Sequence, residues 1–367
     1  MTLNIVFISR HDYRTGWKAG IHFIADAVRN LGHKVRFVSV GFSPLSMIAE
    51  DHRKPLYGKA NRWETVDNID CYLWQSPIHP FGKGLGRYKR LTNFLFRWWI
   101  RSPCKALDQA CREADLIVVQ SGVSATLAGR ARRHAPKATI VYLASDLLET
   151  IDAHPYIARQ LFKDRKKLDT VAVISRPMAP HLEYLERPIV YLPQGILKSR
   201  FKHTTPSPFT AERNIVTVGS MLFDEAFFKA AAPAFPDIVF HLIGTPEFET
   251  DHKNIVFYGR LPFEETLPYL KHANAGIAPY LDSDNTEYLA DSSLKLAQYE
   301  FLKLPAVCPH FAVGGRPSRH GYTPGDAPSI VGALQNALST PFEDGESDVL
   351  DWCDVGARVI EMARQRT

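Results

Sequence analysis

The fold is decided by LNIVFISRHDYRTGWKAGIHFIADAVRNLGHKVRFVSV (residues 3–40), in which a strand pattern, a helix pattern and a second strand pattern follow one another. LNIVFIS (3–9) is a continuous apolar run, as expected of a strand buried on both faces. Residues 21–35 carry apolar side chains at helical spacing and should end as a helix near Gly32. VRFVSV (35–40) predicts the next strand, so the stretch predicts a parallel strand–helix–strand unit.

The same alternation continues along the chain and then restarts after a break. A polar, proline-bearing segment (196–214) is typical of a linker. The further strands expected before it are at 115–122, 138–145, 170–175 and 188–195, and those after it are at 214–221, 238–244, 254–260, 275–280 and 305–310. We therefore expect two doubly wound α/β domains in series, each with a parallel sheet between helices. The predicted divisions are an N-terminal domain (1–198), a C-terminal domain (199–345) and a helical tail (346–367) that could cross back to the first domain.

Length and composition limit the possible functions. The 367 residues are 45% hydrophobic, which predicts a globular protein of about two domains. Five cysteines without CxxC pairs favour a reducing compartment. We expect no signal peptide, and no apolar run reaches the ~20 residues of a spanning helix. A formal net charge of +5 is too small to indicate a nucleic-acid partner.

One segment combines aromatic and basic residues. No Asp or Glu occurs from Cys71 to Leu107. Leu91, Phe94, Leu95 and Trp98 share one predicted helical face. Such a helix could lie in a membrane interface and meet anionic lipid, although a core helix with a basic rim would give the same pattern. The residues expected to bind the membrane are Arg87, Lys89, Arg90, Phe94, Leu95, Trp98 and Trp99.

Polar residues follow several strands of the N-terminal domain, where α/β sheets bind ligands. With two such domains, the cleft between them is the expected site. Asp146 ends the strand ATIVYL and could be a general base or the cap of the next segment. The loop HDYRTGWK (11–18) suits an anionic substrate but could equally be a solvated loop. Its candidates are His11, Asp12, Arg14 and Lys18, together with His22, which could also pack or cap the following helix.

The C-terminal domain offers four further features at strand ends or helix starts. Gly219 in GSM would let a ligand approach the backbone closely. YGR (258–260) and Tyr280 end later strands. In DSSLK (291–295), Asp291 and Ser292 could simply cap a helix, or the serines and the lysine could hold an anion at its N-terminus. Together the four features suggest a nucleotide pocket.

Other motifs carry less weight. No GxGxxG follows the first strand and no P-loop occurs, which disfavours dehydrogenases and P-loop enzymes. GKGLG (82–86) is expected to be a flexible loop. DSD (282–284) resembles a metal-binding Asp-x-Asp, but Asp and Asn are ordinary turn residues.

Longer motifs resemble one family, the inverting GumK glucuronosyltransferases of xanthan- and acetan-type exopolysaccharide assembly. The resemblance extends in order over nearly the whole chain. It is carried by HDYRTGWKAGIHFI (11–24), CYLWQSPIHPF (71–81), ASDLLETI (144–151), VGSMLFD (218–224), IAPY (277–280), YLADSSLKLAQYEFLKLPAVCP (288–309) and GYTPG (321–325). It implies a GT-B fold of two Rossmann-like domains, with the donor in the C-terminal one and the acceptor in the N-terminal one.

The resemblance also implies a reaction. Glucuronate would pass from UDP-glucuronate, with no metal or other cofactor, to a mannose of a polyprenyl-diphosphate-linked oligosaccharide. The protein would act as a peripheral enzyme on the cytoplasmic face of the bacterial inner membrane. Asp146 matches the family's catalytic base. The residues expected at the donor nucleotide are Gly219, Ser220, Met221, Tyr258, Arg260, Tyr280, Ser292, Ser293, Lys295 and Gln298.

The chain also departs from the family. Arg260 stands where the family has Glu, and Trp17-Lys18 stands where it has two arginines. The cation that would hold a glucuronate carboxylate therefore stays open, with Arg14, Lys18, Arg260 and Arg319 as candidates. A UDP-sugar transferase of different donor specificity, a nucleotide-sugar 2-epimerase of the same fold and a non-catalytic nucleotide-sugar-binding protein are the alternatives.

Overall fold

The computed structural model describes residues 1–16, 18–49, 51–83, 89–202, 205–282, 286–340 and 347–364. The chain forms two compact units. The N-terminal unit comprises Met1–Gln194 with Trp352–Thr367, and the C-terminal unit comprises Gly195–Asp351. These boundaries lie a few residues from the divisions expected from the sequence.

The N-terminal unit is built on one eight-stranded sheet in the order β3-β4-β2-β1-β5-β6-β7-β8. Every neighbouring pair is parallel except β3 and β4. The strands are β1 (Asn4–Ser9), β2 (Lys34–Phe42), β3 (Trp63–Val66), β4 (Ile69–Gln75), β5 (Leu116–Gln120), β6 (Thr139–Ala144), β7 (Thr170–Val173) and β8 (Ile189–Tyr191). The helices are α1 (Gly20–Asn30), α2 (Lys89–Arg101), α3 (Lys105–Arg112), α4 (Ala128–His134) and α5 (Pro155–Asp164).

The core of this unit explains why the opening stretch folds as predicted. Phe7 in β1 is fully buried and pairs with Phe37 of β2 on one side and Val118 of β5 on the other. Strands enclosed on both faces tolerate only apolar side chains, so their sequence shows a continuous run rather than alternation. The predicted strands and the first helix are therefore confirmed, with boundaries shifted by a few residues.

The hairpin β3–β4 was not predicted. Its turn is Asp67-Asn68, and both residues have positive φ angles of 50° and 59°. Two left-handed residues make the type I′ turn that matches the twist of antiparallel strands. The signal was present in WETVDNIDCYLW (63–74), where an Asp-Asn pair separates two β-rich runs. This hairpin supplies Glu64, which takes part in the site described below.

The C-terminal unit has a fully parallel sheet of six strands in the order β11-β10-β9-β12-β13-β14. The edge strand β14 was not predicted because RHGY lacks an apolar run. The strands are β9 (Asn214–Val218), β10 (Val239–Ile243), β11 (Ile255–Phe257), β12 (Ala275–Ile277), β13 (Ala306–Pro309) and β14 (Arg319–Tyr322). The helices are α6 (Glu225–Ala234), α7 (Phe263–His272), α8 (Leu289–Ser292), α9 (Leu294–Phe301) and α10 (Ala327–Ser339).

The C-terminal helix α11 (Trp352–Arg364) belongs to the N-terminal unit. It packs on α1, where the rings of Phe23 and Trp352 stack with centroids 5.2 Å apart. Gly356 allows the close approach, since a Cβ at that position would lie 2.7 Å from the Cβ of Ala27. Within the described ranges, no helix combines the length and apolar character that a membrane span requires.

Candidate active site

A cavity of about 480 Å³ lies at the carboxyl ends of β1, β5 and β6 in the N-terminal unit. This is where the crossover topology of a parallel sheet leaves room for a ligand. Its lining residues are Arg10, His11, His52, Gly82, Lys83, Gln120, Ser121, Gly122, Val123, Ser145, Asp146, Ile151 and Ala153. The predicted residues Asp146 and His11 are thus brought together in one cavity.

Asp146 is a half-buried carboxylate in this cavity wall. Burial raises its pKa to about 6, although a hydrogen bond from Ser145 opposes the shift. A carboxylate with this pKa is mostly ionised at neutral pH and still binds a proton readily. It therefore has the properties of a general base.

A chain of hydrogen bonds positions Asp146 from three strand ends. Ser9 Oγ donates to Gln120 Oε1 at 2.5 Å, and Gln120 Nε2 donates to Ser145 Oγ at 3.0 Å. Ser145 Oγ donates its single proton to Asp146 Oδ2 at 3.2 Å, so Ser121 Oγ must be the donor in its 2.9 Å contact with Ser145. The sequence analysis missed these residues, although each polar residue ends or follows a buried apolar strand.

The loop after β1 differs from the expectation at two residues. Asp12 is fully buried and Arg14 has a side chain only 3% exposed. Arg14 donates from Nε and Nη2 to the two oxygens of Asp12 at 2.9 and 2.8 Å, and from Nη1 to Glu64 at 3.0 Å. Burial acts to raise the pKa of Asp12, but the hydrogen bonds and charge of Arg14 outweigh it and lower that pKa. The prediction that these two side chains contact substrate is corrected: they brace the loop against β3.

His22 is also structural. It is fully buried, stacks on Phe37 with ring centroids 5.3 Å apart, and accepts a hydrogen bond from the Ala19 N–H at the start of α1. Burial lowers its pKa to about 3, so the ring stays neutral. The expectation of a substrate-binding role is corrected to packing and capping, the alternative reading of this residue. Lys18 is exposed, and its Nζ donates to the Tyr13 carbonyl at 2.5 Å.

The turn between α8 and α9 (residues 292–295) carries the central residues of the expected donor site. Helix α8 ends at Ser292, Ser293 is extended, and α9 begins at Leu294. Ser293 Oγ accepts from the Leu296 N–H at 3.1 Å and contacts Tyr280 Oη at 2.5 Å. The cap of α9 is therefore Ser293, so the alternative in which Asp291 and Ser292 cap this helix does not hold.

Lys295 lies in the first turn of α9, next to strand β9. Its Nζ is 3.3 Å from Thr217 Oγ1 and 5.4 Å from the centre of the Tyr280 ring. No acidic side chain of the described residues forms an ion pair with it, and burial lowers its pKa to about 7. A bound anion would stabilise the ammonium form of Lys295. The positive end of the α9 dipole would attract the same anion.

The other predicted donor residues lie at strand ends of the same sheet or on α8 and α9, with different exposures. Gly219 has φ 89° and follows β9, next to the exposed Ser220 and Met221. Tyr258 Oη lies 2.8 Å from His241 Nδ1, and Arg260 is exposed. Tyr280 is buried, so its contribution is to hold Ser293 and to face Lys295. Gln298 is half-buried on α9, and Ser292 Oγ donates to the Tyr288 carbonyl at 2.9 Å.

Comparisons with known proteins identify the family of the chain. Residues 7–174 match the family described as "Glucuronosyltransferase GumK, N-terminal domain". The chain is also 39% identical to the UDP-glucuronate:glycolipid 2-beta-glucuronosyltransferase of Xanthomonas campestris pv. campestris, over 96% of this chain and 88% of that protein.

The chain belongs to the GumK glucuronosyltransferase family.

Solved structures show the fold of this GumK-family chain. An Escherichia coli trehalose-6-phosphate protein bound with UDP-2-fluoro glucose aligns with a TM-score of 0.59 at 12% identity, covering 99% of this chain and 96% of that one. The UDP-GlcNAc 2-epimerase of Methanocaldococcus jannaschii aligns with a TM-score of 0.54 at 10% identity, covering 100% of both chains. At these identities the likeness concerns architecture alone. The two parallel-sheet units are those of the GT-B fold.

The amphipathic helix of this GumK-family chain is present as α2. Leu91, Phe94 and Trp98 are 57%, 49% and 53% exposed, and the rings of Phe94 and Trp98 lie 4.9 Å apart. Trp99 points the other way: it is fully buried and stacks on Trp74 at 5.3 Å. The prediction that Trp99 binds a membrane is therefore corrected, because it is a core residue. Arg87 lies outside the described residues, and the side chains of Lys89 and Arg90 are likewise not described.

Two remaining candidates concern metal and carboxylate binding. Among the described residues, no three His, Cys, Asp or Glu side chains are grouped to hold a metal ion. Asp282 accepts a hydrogen bond from Thr286, whereas Ser283 and Asp284 of the DSD motif lie outside the described residues. Arg319 is buried and donates to the Ala290 carbonyl at 2.6 Å and to Glu300 at 3.0 Å, so it connects α8 to α9.

Proposed function

We propose that this GumK-family protein transfers glucuronate from UDP-glucuronate to a mannose of a polyprenyl-diphosphate-linked oligosaccharide, with inversion and without a metal. The observation that carries the proposal is Asp146, a carboxylate with a raised pKa in a cavity at the carboxyl ends of β1, β5 and β6. The family relationship supports the donor and the glycolipid acceptor, since the Xanthomonas relative is named for both.

The reaction would begin at Asp146. Its carboxylate takes the proton from the acceptor hydroxyl as the hydroxyl oxygen attacks the anomeric carbon of glucuronate. The bond from that carbon to the UDP oxygen breaks on the opposite side, and its electron pair leaves with UDP. A single displacement of this kind inverts the configuration. The hydrogen bonds from Ser9 through Gln120 and Ser145 keep the Asp146 carboxylate in one orientation during the transfer.

Lys295 would stabilise the leaving group. Negative charge grows on the β-phosphate of UDP as the bond breaks, and an ammonium at the start of α9 lowers the energy of that charge. Ser293 fixes the turn by capping α9, and Tyr280 fixes Ser293. These groups would supply electrostatically what a divalent metal supplies in other transferases.

The protein would act as a peripheral membrane enzyme, at the cytoplasmic face of the inner membrane. The exposed apolar surface of α2 supports this proposal: Leu91, Phe94 and Trp98 are exposed together, and Arg97 and Arg101 on the same helix are exposed as well. Aromatic side chains favour the headgroup boundary, and the arginines attract anionic lipid.

One assay tests the proposed reaction. Purified protein is incubated with lipid-linked oligosaccharide, EDTA and, in separate reactions, UDP-glucuronate, UDP-glucose, UDP-N-acetylglucosamine or GDP-mannose. We expect label from UDP-glucuronate to reach the lipid fraction much faster than label from the other three donors, and Asp146→Asn to slow this transfer by about 10²–10⁴-fold. Conversion of a free nucleotide sugar to its 2-epimer without acceptor would instead support an epimerase. A requirement for added metal would contradict the role of Lys295.

A further inference from the structure

Two cations in the cavity around Asp146 have no role in the chemistry described so far. Arg10 follows β1 directly, and Lys83 is held beside the cavity by an antiparallel bridge to Ala153. Within the described part of the chain, neither the Arg10 guanidinium nor the Lys83 ammonium forms an ion pair with a carboxylate. The described lining of the cavity therefore contains two cations without an ion pair, Arg10 and Lys83, and one acid, Asp146, while Asp51 outside the lining acts on Arg10 through its charge.

The backbone that carries Arg10 is rigidly held. Arg53 is fully buried and donates from Nη1 to the carbonyls of Arg10 and Val40, each at 2.8 Å. The Arg53 guanidinium is in turn held by Asp51, through contacts of 2.9 Å to Oδ1 and 2.7 Å to Oδ2. Both carboxylate oxygens of Asp51 thus accept hydrogen bonds from Arg53. A substrate-binding side chain on such a fixed support is pre-organised for its ligand.

The histidines of the cavity do not supply charge at neutral pH. Burial, and after it the charges of the nearby His52, Arg10 and Arg53, lower the pKa of His11 to about 4. Burial also lowers the pKa of His52. The Nδ1 atom of His11 is buried without a hydrogen-bond partner among the described residues. Neutral rings can contact a ligand here, but the attraction for an anion comes from Arg10 and Lys83.

The chemistry of the proposed reaction indicates which anion Arg10 and Lys83 would bind. The acceptor hydroxyl must lie within hydrogen-bond reach of Asp146 and in line with the anomeric carbon of the donor sugar. The UDP diphosphate departs on the far side of that carbon, and the acceptor diphosphate is separated from the reacting mannose by whole sugar residues. The carboxylate on C5 of the glucuronate ring is the one anionic group that belongs to the ring under attack.

We infer that Arg10 and Lys83 bind the carboxylate of the transferred glucuronate and select UDP-glucuronate over UDP-glucose. This inference rests on the proposed function and names the residues that determine its donor specificity. A guanidinium can hold a carboxylate through two parallel hydrogen bonds, which a neutral hydroxymethyl group does not offer.

The other candidate cations are less suited to this role. The Arg14 guanidinium forms ion pairs with Asp12 and Glu64. The Arg319 guanidinium donates to the Ala290 carbonyl and to the Glu300 carboxylate. The Nζ of Lys18 donates to the Tyr13 carbonyl. Arg260 is exposed in the C-terminal unit and is the competitor that the experiment must separate.

The test compares kcat/KM for UDP-glucuronate and UDP-glucose in the wild-type chain, Arg10→Gln, Lys83→Gln, Arg10→Lys and Arg260→Gln. We expect Arg10→Gln and Lys83→Gln to lower the value for UDP-glucuronate by about 10- to 100-fold each, the usual effect of losing a charged hydrogen bond. The value for UDP-glucose should change by less than about threefold, since its neutral group makes no such bond. Arg10→Lys should retain more of the selectivity for UDP-glucuronate than Arg10→Gln, because lysine keeps the positive charge.

Arg62→Gln is the matched control, because Arg62 is an exposed arginine of the same unit outside the cavity lining. It should leave both donors unaffected, and melting temperatures would show that all variants fold. An equal loss for both donors, an unchanged ratio, or loss of selectivity in Arg260→Gln alone would overturn the assignment. A wild-type chain that transfers no glucuronate would contradict the proposed function itself.

Discussion

Ser145 Oγ donates a hydrogen bond to Asp146 Oδ2 at 3.2 Å, and this contact joins the candidate base to a chain of polar groups from three strand ends. Gln120 donates to the same serine oxygen at 3.0 Å, which fixes the direction of the serine proton. The carboxylate is thus oriented by one neighbour while burial raises its pKa. The Ser145 hydrogen bond affects both the orientation of the carboxylate and its pKa, and the two effects can be measured separately as kcat and as the position of the acid limb.

Removal of the Ser145 hydroxyl should shift the acid limb of the plot of kcat/KM against pH. The Ser145 hydrogen bond lowers the pKa of Asp146 against the larger effect of burial, so Ser145→Ala should move the acid limb to higher pH. We expect kcat to fall about tenfold because the carboxylate loses its orientation. Ser121→Ala is the control, since Ser121 contacts Ser145 but not Asp146. An unshifted limb in Ser145→Ala would contradict the positioning role.

Replacement of the base should not reduce stability. The pKa of Asp146 is raised in the folded state, so its charged form is disfavoured by folding at pH values above the unfolded pKa. A neutral Asn avoids that cost, and functional residues often lower stability in this way. Asp146→Asn should therefore melt at the same temperature as the wild type or higher at pH 7.5, and the difference should shrink toward pH 4. A clear fall in melting temperature would contradict this environment for Asp146.

The affinity for UDP should depend on pH through Lys295. Its pKa is about 7 in the free protein, and a bound diphosphate would raise it. Binding then takes up a proton above pH 7, so the UDP dissociation constant should rise by up to about tenfold per unit above pH 7.5, where the terminal phosphate of UDP is already ionised. Calorimetric titrations with UDP in buffers of different ionisation enthalpy would measure the proton that is taken up on binding. Lys295→Met should bind UDP weakly with no such slope, and a slope that persisted in Lys295→Met would contradict the assignment.

The two adjacent tryptophans of α2 should behave differently. Trp98 is 53% exposed, so Trp98→Ser, alone or with Phe94→Ser, should weaken sedimentation with anionic vesicles and leave the melting temperature nearly unchanged. Trp99 is fully buried against Trp74, so Trp99→Ala should cost about 3–5 kcal/mol in the free energy of unfolding. Equal vesicle binding by the wild type and the Phe94→Ser/Trp98→Ser variant would contradict the proposed membrane surface.

Much of the fold could be predicted because its signals are local. The apolar run of β1 and the helical periodicity of α1 survive in the structure, and Asp146 lies at the strand end where the pattern placed it. The apolar stripe of α2 is exposed at Leu91, Phe94 and Trp98, as its helical spacing predicted, while contact with a membrane stays a prediction. Trp99 was misassigned because adjacent helical residues point in different directions, and only the position of Trp74 shows which side is the core.

The errors at the site have non-local causes. The ion pair of Asp12 and Arg14 is completed by Glu64, which comes from the hairpin that the sequence analysis did not predict. The cap of α9 lies at Ser293 because Tyr280, thirteen residues earlier, bonds to its hydroxyl. Arg10 was not predicted as a site residue because a single basic residue after a strand is an ordinary feature. Its proposed binding role follows from the cavity that it lines together with Lys83 and Asp146.

The central claim is that Asp146 is the base for glucuronosyl transfer. The most direct measurement is kcat/KM for UDP-glucuronate with lipid-linked acceptor, from pH 5 to 8, in the wild-type chain and in Asp146→Asn. We predict that the wild-type value falls tenfold per pH unit below about pH 6, and that the variant is about 10²–10⁴-fold slower without that limb. A variant that keeps the wild-type rate, or the same acid limb, would contradict the claim.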